Sequence, residues 1–520
     1  MPSFSATADV VRDWAARDPD RPALRFEGRT LTYRQLDERS SRVARALRAA
    51  GVGPGRRVAF LDKNGPEQAE LFFGAAKINA VPTPVNYRLA GPEIGYIVAD
   101  TEAPVFVVGE EFVPAVEKVA GELPGVELVV IGASDTRPSF EAWRDAHPAE
   151  DPQEPQAPDD VAYQLYSSGT TGRPKGVQLT NANLFAGLPI YSWMLGMGPD
   201  SVSLVAMPLY HIGGGGWLLA GLCAGGLNVI AREAVPARLV ETIEQERVTQ
   251  AFLVPAVLQF MLAEPGVEER DFSALHAILY GASPISEQVL KASMRTFGCQ
   301  FVQAYGLTET TGTVVYLPAA DHDPDGPHPQ RLRACGIPTP GTDVRVVDAA
   351  TGDDLRPGEV GEIWIKGPTI MHGYWHLPEA TEEAMAPGGW FRSGDAGYLD
   401  ADGYLYIYDR VKDMIVSAGE NIYPAEIENV LMSHPAVADV AVIGVPHERW
   451  GESPKAIVVR AAGAEVTDAA LIAWCREQLA GFKCPTSVDW VEALPRNPSG
   501  KIMKKELRLP YWEGKTRMVG

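Results

Sequence analysis

The segment Tyr166–Gly176, reading Tyr-Ser-Ser-Gly-Thr-Thr-Gly-Arg-Pro-Lys-Gly, constrains this chain more than any other stretch. Three glycines (Gly169, Gly172, Gly176) let the backbone bend and present its N–H groups, four hydroxyls (Ser167, Ser168, Thr170, Thr171) add donors, and Lys175 adds a charge. That is the donor set of a phosphate cradle. An alternating run, Ala162 to Tyr166, precedes it and a second, Val177 to Leu179, follows, so the loop is expected to join two strands instead of opening a helix. The common nucleotide-binding loop requires Gly, four residues, then Gly-Lys-Ser/Thr. Counted from Gly169, the fifth position is Pro174, the sixth Lys175 and the seventh Gly176, so that spacing fails. A plain surface hairpin is the alternative reading of the same residues.

A chain of 520 residues holds several domain-sized units, with ample material for a buried core and a separate mobile piece. Its formal charge of −21 argues against a nucleic-acid or anionic-membrane partner, so polyphosphate must be met by local donors. Cys223, Cys299, Cys335, Cys475 and Cys484 are scattered without a paired spacing or nearby histidines, which predicts reduced thiols, no structural zinc and a cytoplasmic setting. The N-terminus has no basic start or apolar core, and the longest apolar stretch, Trp217 to Leu227, is too short and glycine-rich to span a bilayer.

Through the first 160 residues helical and strand patterns alternate, as in α/β proteins. Leu36, Val43, Ala44 and Leu47 fall at helical spacing with Gly51 as a stop, a strand follows at Val58 to Leu61, Pro66 opens a helix, and Val105 to Val108 reads as a buried strand. Tyr33, Asn86 and Arg88 are assigned structural roles. A polar connector, Pro148 to Asp160, delivers the chain to the phosphate loop. Further on, His211 heads four glycines, Gly213 to Gly216, where a closely approaching ligand is a reason for missing side chains. Tyr280-Gly281-Ala282-Ser283-Pro284 is a turn of small residues, and Trp390 to Tyr404 reads as strand, hairpin turn, strand. Pro424 begins a helix, a strand follows at Val437 to Val445, and Lys501 sits on a turn rich in Pro, Asn, Ser and Gly.

The phosphate loop resembles the signature loop of the adenylate-forming family, which includes acyl-CoA synthetases, firefly-type luciferases and peptide-synthetase adenylation domains. In motifs the chain is most similar to fatty-acid-type acyl-CoA ligases, and the likeness spans roughly residues 20 to 510. It implies an α/β fold with a large N-terminal domain, residues 1–411, of mixed sheets flanked by helices with a small β-barrel-like part. A small mobile α+β C-terminal domain, residues 412–520, would swing about a hinge at Lys412.

Carried over residue by residue, the resemblance assigns ATP and AMP to Ser167, Ser168, Gly169, Thr170, Thr171, Gly172 and Lys175 of the loop and to Gly281, Ala282 and Ser283 on the adenine side. Gln303, Ala304, Tyr305, Gly306, Thr308 and Glu309 supply an aromatic face for adenine, a hydroxyl for the α-phosphate and a carboxylate for Mg²⁺; Asp395 and Arg410 take the ribose. Thr170 and Glu309 are the expected metal-side residues, since Mg²⁺ takes few carboxylates and completes its shell with water and phosphate. His211 lies beside the acyl carboxylate, with Ile212, Gly213, Gly214, Gly215 and Trp217 around the acyl chain; amino-acid-activating relatives carry an Asp nearby, and Ile212 as the next position here disfavours amino-acid substrates. Lys501 aligns with the lysine that enters the site for adenylation, so the catalytic set is Lys501, Glu309, Thr170, Lys175 and His211. Gly419, Glu420, Trp450 and Lys483 are assigned to coenzyme A, although Ala418 replaces a glycine of many relatives, and Cys484 and Thr486 stand where relatives carry basic residues.

The activity implied is an AMP-forming carboxylic acid:CoA ligase that uses ATP, Mg²⁺ and CoA on an apolar medium- or long-chain or bulky alicyclic acid. The alternatives are a ligase loading a carrier protein, an aryl-acid CoA ligase, and a nucleotide-binding regulatory protein on the same scaffold. The expected partners are small molecules, with no nucleic acid or integral membrane association, and the expected state is a monomer or homodimer.

Overall fold

The computed structural model describes residues 4–134, 137–167, 174–410, 413–417, 420–447, 449–496 and 502–513; for Glu122, Asp409, Arg410, Val416, Glu420, Asn421 and Phe482 it describes the backbone only. Its largest unit is a nine-stranded sheet. The strands Gln300–Leu307, Ala277–Gly281, Gln250–Leu253, Val202–Val205, Leu227–Ile230 and Pro22–Phe26 follow one another across it, each parallel to its neighbour. Arg29–Thr32 closes one edge, and Gly312–Leu317 with Ile337–Pro338 closes the other, all antiparallel. Gln250–Leu253 and Ala277–Gly281 are buried at every residue, as expected where helices cover both faces of a parallel sheet.

A second, four-stranded parallel sheet takes the order Val81–Pro84, Arg57–Leu61, Val105–Gly109, Glu127–Ile131. Its helix Tyr33–Ala49 begins where Thr32 and Gln35 form a reciprocal capping box, and it buries Leu36, Val43, Ala44 and Leu47. The next helix, Pro66–Ala76, opens on Pro66 as the sequence predicts. The polar connector is pinned by charge: Lys77, fully buried, reaches Asp37, Ser41 and Asp151, and Arg12 grips both carboxylate oxygens of Asp151 at 2.8 and 2.9 Å. Tyr33 is core, its hydroxyl donating to the carbonyls of Leu222 and Gly226.

The phosphate-loop strands, Val161–Ser167 and Lys175–Thr180, form an antiparallel hairpin to which Gly373–Tyr374 adds a third strand. A five-stranded antiparallel sheet over residues 343–410 stands in the place of the barrel-like part. The C-terminal part has its own five-stranded sheet and its own core, including Ile415, Ile427, Leu431, Val440 and Leu471. Its last helix, Lys504–Trp512, packs Leu507 and Tyr511 on the strand Val437–His447. Among the described residues no helix is long and apolar enough to cross a membrane.

Candidate active site

The hairpin register sets Ser167 opposite Lys175 and Tyr166 opposite Gly176, so the loop leaves and returns at one level of the sheet. Residues 168–173, with Ser168, Gly169, Thr170, Thr171 and Gly172, lie outside the described residues. Against the base of the loop stands Glu309, on the short turn Thr308–Thr310 that ends the strand Gln300–Leu307. Glu309 is 8% exposed, and its Oε1 accepts from the Ser167 hydroxyl at 3.0 Å and from the Tyr374 hydroxyl at 3.1 Å. Among the described residues no donor reaches Oε2. Two neutral donors on one oxygen hold the carboxylate without cancelling its charge, and a single carboxylate whose second oxygen is clear of those donors fits Mg²⁺, which completes its shell with water and substrate phosphate. The Lys175 ammonium lies 4.8 Å from the centroid of the Tyr374 ring, so Tyr374 touches both charged groups.

The residues expected on the nucleotide side gather at the carboxyl ends of adjacent parallel strands, the usual place for a ligand crevice in an open α/β sheet. Gly281 pairs with Ala304, and a side chain at Gly281 would meet the Ala304 carbonyl at 2.1 Å. Ala282 then turns with φ 65°, and Ser283 follows, half-buried. Gln303, Tyr305, Gly306 and Thr308 are half-buried along the neighbouring strand and turn; the Gln303 amide donates to Cys335 Sγ at 3.6 Å. Tyr305 donates its hydroxyl to Asp395 Oδ2 at 2.7 Å, which joins the residues expected at adenine to those expected at the ribose, and Asp395 pairs with Arg410 in the register of the hairpin.

His211 precedes the helix Ile212–Cys223, and its ring lies 4.5 Å from that of Tyr210. The loop that delivers it is fixed by Asn64, 3% exposed: its amide donates to the Met207 and Ala231 carbonyls, both at 3.1 Å, and its oxygen accepts from the Leu209 N–H at 3.0 Å. The glycines differ from the sequence reading. Gly213 to Gly216 are helical, and what approaches them is protein. An added Cβ would lie 2.7 Å from the Phe252 ring at Gly213, 2.2 Å from the Pro208 carbonyl at Gly214 and 2.5 Å from the Tyr163 hydroxyl at Gly215. Ile212 is half-buried beside them. Trp217 is 2% exposed, donates to the Leu204 carbonyl at 2.9 Å and packs against Tyr191 and Phe252.

In the C-terminal part, Trp450 is 38% exposed and stacks on His447 with ring centroids 4.2 Å apart. Lys483 is bound by both oxygens of Glu426 at 2.8 Å. Glu420 opens the short strand Glu420–Ile422. Lys412, Gly419 and Lys501 lie outside the described residues; Arg496 and Ile502, on either side of the segment that includes Lys501, form an antiparallel bridge. Tyr374, Asn64, Arg57 and Trp375 escaped the sequence reading. Each acts through contacts with residues far away in the chain, and only the Gly-Tyr-Trp run at 373–375 marks any of them locally.

Residues 11–375 match the model of the AMP-binding enzyme family, and residues 426–501 that of the AMP-binding enzyme C-terminal domain. The chain is 44% identical to a fatty acid–[acyl-carrier-protein] ligase, ScoC, of Streptomyces coeruleorubidus, over 100% of this chain and 99% of that one. It is 40% identical to a feruloyl-CoA synthase of an Amycolatopsis species, over 95% and 96% of the two chains. Among solved structures, ATP-bound MatB from Rhodopseudomonas palustris superposes with a TM-score of 0.88 at 31% identity, covering 97% of this chain and 99% of its own.

Proposed function

The chain belongs to the AMP-binding enzyme family, and on that premise we propose that it is an ATP-dependent ligase that activates an apolar carboxylic acid as its adenylate and passes the acyl group to coenzyme A. The observation that carries the reading is the Glu309 carboxylate, buried at the base of the phosphate loop and held by Ser167 and Tyr374 beside Lys175. In the first step a carboxylate oxygen of the acid attacks the α-phosphorus of ATP; that O–P bond forms as the bond to the bridging oxygen breaks, and pyrophosphate leaves. Glu309 would hold Mg²⁺, which would supply charge neutralisation at the phosphate oxygens. Lys175 and the loop donors hold the phosphates, Asp395 receives the ribose hydroxyls while braced by Tyr305, and His211 faces the acid carboxylate. Lys501 reaches the reacting phosphate from the C-terminal part. In the second step the thiol sulfur attacks the acyl carbonyl, a C–S bond replaces the C–O bond, and AMP leaves. Rotation about Lys412, at the boundary between residues 1–411 and 412–520, exchanges Lys501 for Gly419 and Glu420 between the steps.

A second reading, transfer to the thiol of a carrier protein, is favoured by two observations. The relative at 44% identity is by name a carrier-protein ligase. In addition, Lys483 is already engaged by Glu426, which weakens its claim to a CoA phosphate. We place the enzyme in the cytoplasm as a monomer or homodimer. ATP–pyrophosphate exchange across a panel of fatty, alicyclic and aryl acids tests the first step; absence of exchange with every acid refutes the reading. Offering CoA and a pantetheinylated carrier protein in turn then decides the acceptor.

A further inference from the structure

The residue after Tyr374 belongs to a chain of contacts that the nucleotide reading leaves unused. Tyr374, the last residue of its strand, meets Glu309 and Lys175, and Trp375 follows in the turn beyond it with a different set of partners. There the Arg57 guanidinium, on a residue 7% exposed, lies 3.4 Å from the centroid of the indole. Trp375 Nε1 donates to the Asp100 carbonyl at 2.9 Å, and its backbone N–H donates to the Gly176 carbonyl at 2.7 Å. Arg57 Nε donates to Gln164 Oε1 at 3.0 Å; the Gln164 amide donates to the Tyr166 hydroxyl at 3.3 Å, and that hydroxyl donates to the Asp100 carboxylate. The contacts form a ring. It runs from the strand entering the phosphate loop, through the four-stranded sheet, to the strand that carries Tyr374. An added Cβ at Gly176 would lie 2.7 Å from Gln164 Nε2 and 3.2 Å from Trp375 Cβ, so the loop's own glycine makes the ring's close approach possible. Burial lowers the Arg57 pKa to about 10, which leaves the guanidinium charged at neutral pH.

We propose that the Arg57–Trp375 stack is a positioning clamp: it locks the strand bearing Tyr374 to the base of the phosphate loop and so sets where the Glu309 carboxylate and the Lys175 ammonium stand when nucleotide binds. The inference rests on the reading that the loop and Glu309 hold ATP and its metal. The contacts of both clamp residues named above are with protein, and neither is assigned to a substrate. Their substitution therefore acts on nucleotide and Mg²⁺ parameters through Tyr374 and leaves the Michaelis constant for the acid in place.

The test is a set of Trp375 and Arg57 variants read by pyrophosphate exchange and by calorimetric titration with MgATP, which needs no turnover. Trp375→Leu is expected to raise the KM for MgATP and the Mg²⁺ concentration for half-maximal exchange by about thirtyfold, the equivalent of about 2 kcal/mol and of one desolvated cation–π contact. Trp375→Phe, which keeps a ring face for the guanidinium, restores most of the loss, and Arg57→Leu adds little on top of Trp375→Leu. Unchanged Mg²⁺ and nucleotide parameters in Trp375→Leu overturn the clamp. So do fully additive effects of the two substitutions, or equal losses toward acid and nucleotide that track the folded fraction. Where Trp375→Leu does not fold, Trp375→Phe and Arg57→Lys decide: a shifted nucleotide KM with an unshifted acid KM and urea midpoint supports the clamp, and no shift overturns it. A parent protein that binds no MgATP and exchanges with no acid fails the underlying reading instead, a result visible before any variant is made.

Discussion

Replacing Gly214 and Gly216 by alanine separates the two reasons a helix can carry four glycines in a row. If the glycines make room for a ligand, either alanine leaves the free protein at least as stable, because Gly→Ala inside a helix gains about 1 kcal/mol. The packing says otherwise at one of the two positions. At Gly214 the new methyl would stand 2.2 Å from the Pro208 carbonyl oxygen and 2.5 Å from that of Met207, backbone atoms in the segment that Asn64 holds. Overpacking of that kind costs about 3 kcal/mol at the upper end, so the net loss is about 2 kcal/mol after the helical gain. At Gly216 the nearest atom is Ile212 Cδ1 at 3.3 Å, the end of a flexible side chain, and the gain survives. The two variants should thus differ by about 3 kcal/mol, or about 1 M in urea midpoint for a slope of about 3 kcal/mol per M. Equilibrium urea unfolding followed by tryptophan fluorescence reads this directly. A Gly214→Ala protein as stable as the parent, with a severalfold change in the KM for the acid, refutes the packing account and restores ligand approach as the reason.

Lys501→Ala should nearly abolish pyrophosphate exchange yet leave thioester formation from supplied acyl adenylate largely intact; equal loss in both half-reactions rules out the swinging-domain account. Tyr374→Phe removes one of the two hydroxyl donors on Glu309, and since a hydrogen bond to a charged group is worth about 1.5 to 3 kcal/mol, exchange should fall by about tenfold to a hundredfold, with a higher Mg²⁺ requirement. Glu67 is held up to about 7, chiefly by burial and further by Glu70, Glu141 and Asp62. Raised above its unfolded value, it contributes stability below about pH 4.5 that is lost as the pH climbs through 7. Glu67→Gln should therefore gain stability over the parent as pH rises from 5 to 8 in urea titrations; a gain independent of pH contradicts the assignment.

What the sequence makes legible here is local. The hairpin around the phosphate loop follows from two alternating runs, the helix Tyr33–Ala49 from its cap and its apolar stripe, and the turn between Trp390–Leu399 and Leu405–Arg410 from Asp-Gly chemistry. Glu309 and Asp395 are readable only through family likeness, and nothing in their own neighbourhoods says that Tyr305 braces one and Tyr374 the other. Those partners lie 90 and 65 residues away, a separation at which side-chain periodicity carries no information. The glycine helix fails for a different reason. Four glycines oppose helix formation locally, and the helix exists because Trp217, Leu218, Leu219 and Leu222 are buried against the large sheet, so tertiary packing overrides propensity.

The charge of the whole molecule bears on how nucleotide reaches this site. With a net charge of −21 the far field repels MgATP, and attraction comes only from groups at short range, Lys175 among those described. Repulsion acting over tens of ångströms is screened first: the Debye length falls from about 30 Å at 0.01 M salt to about 10 Å at 0.1 M, whereas contacts of a few ångströms are screened only near 1 M, where it is about 3 Å. The KM for MgATP should accordingly fall or hold steady from about 0.01 to 0.1 M salt and rise only toward about 1 M. An enzyme that draws nucleotide in with a broad basic surface behaves in the opposite way, its KM climbing from the lowest salt onward. Measuring exchange kinetics across that range at fixed free Mg²⁺ distinguishes the two, and a steady climb from 0.01 M would mean that the surface around the site is basic despite the acidity of the chain.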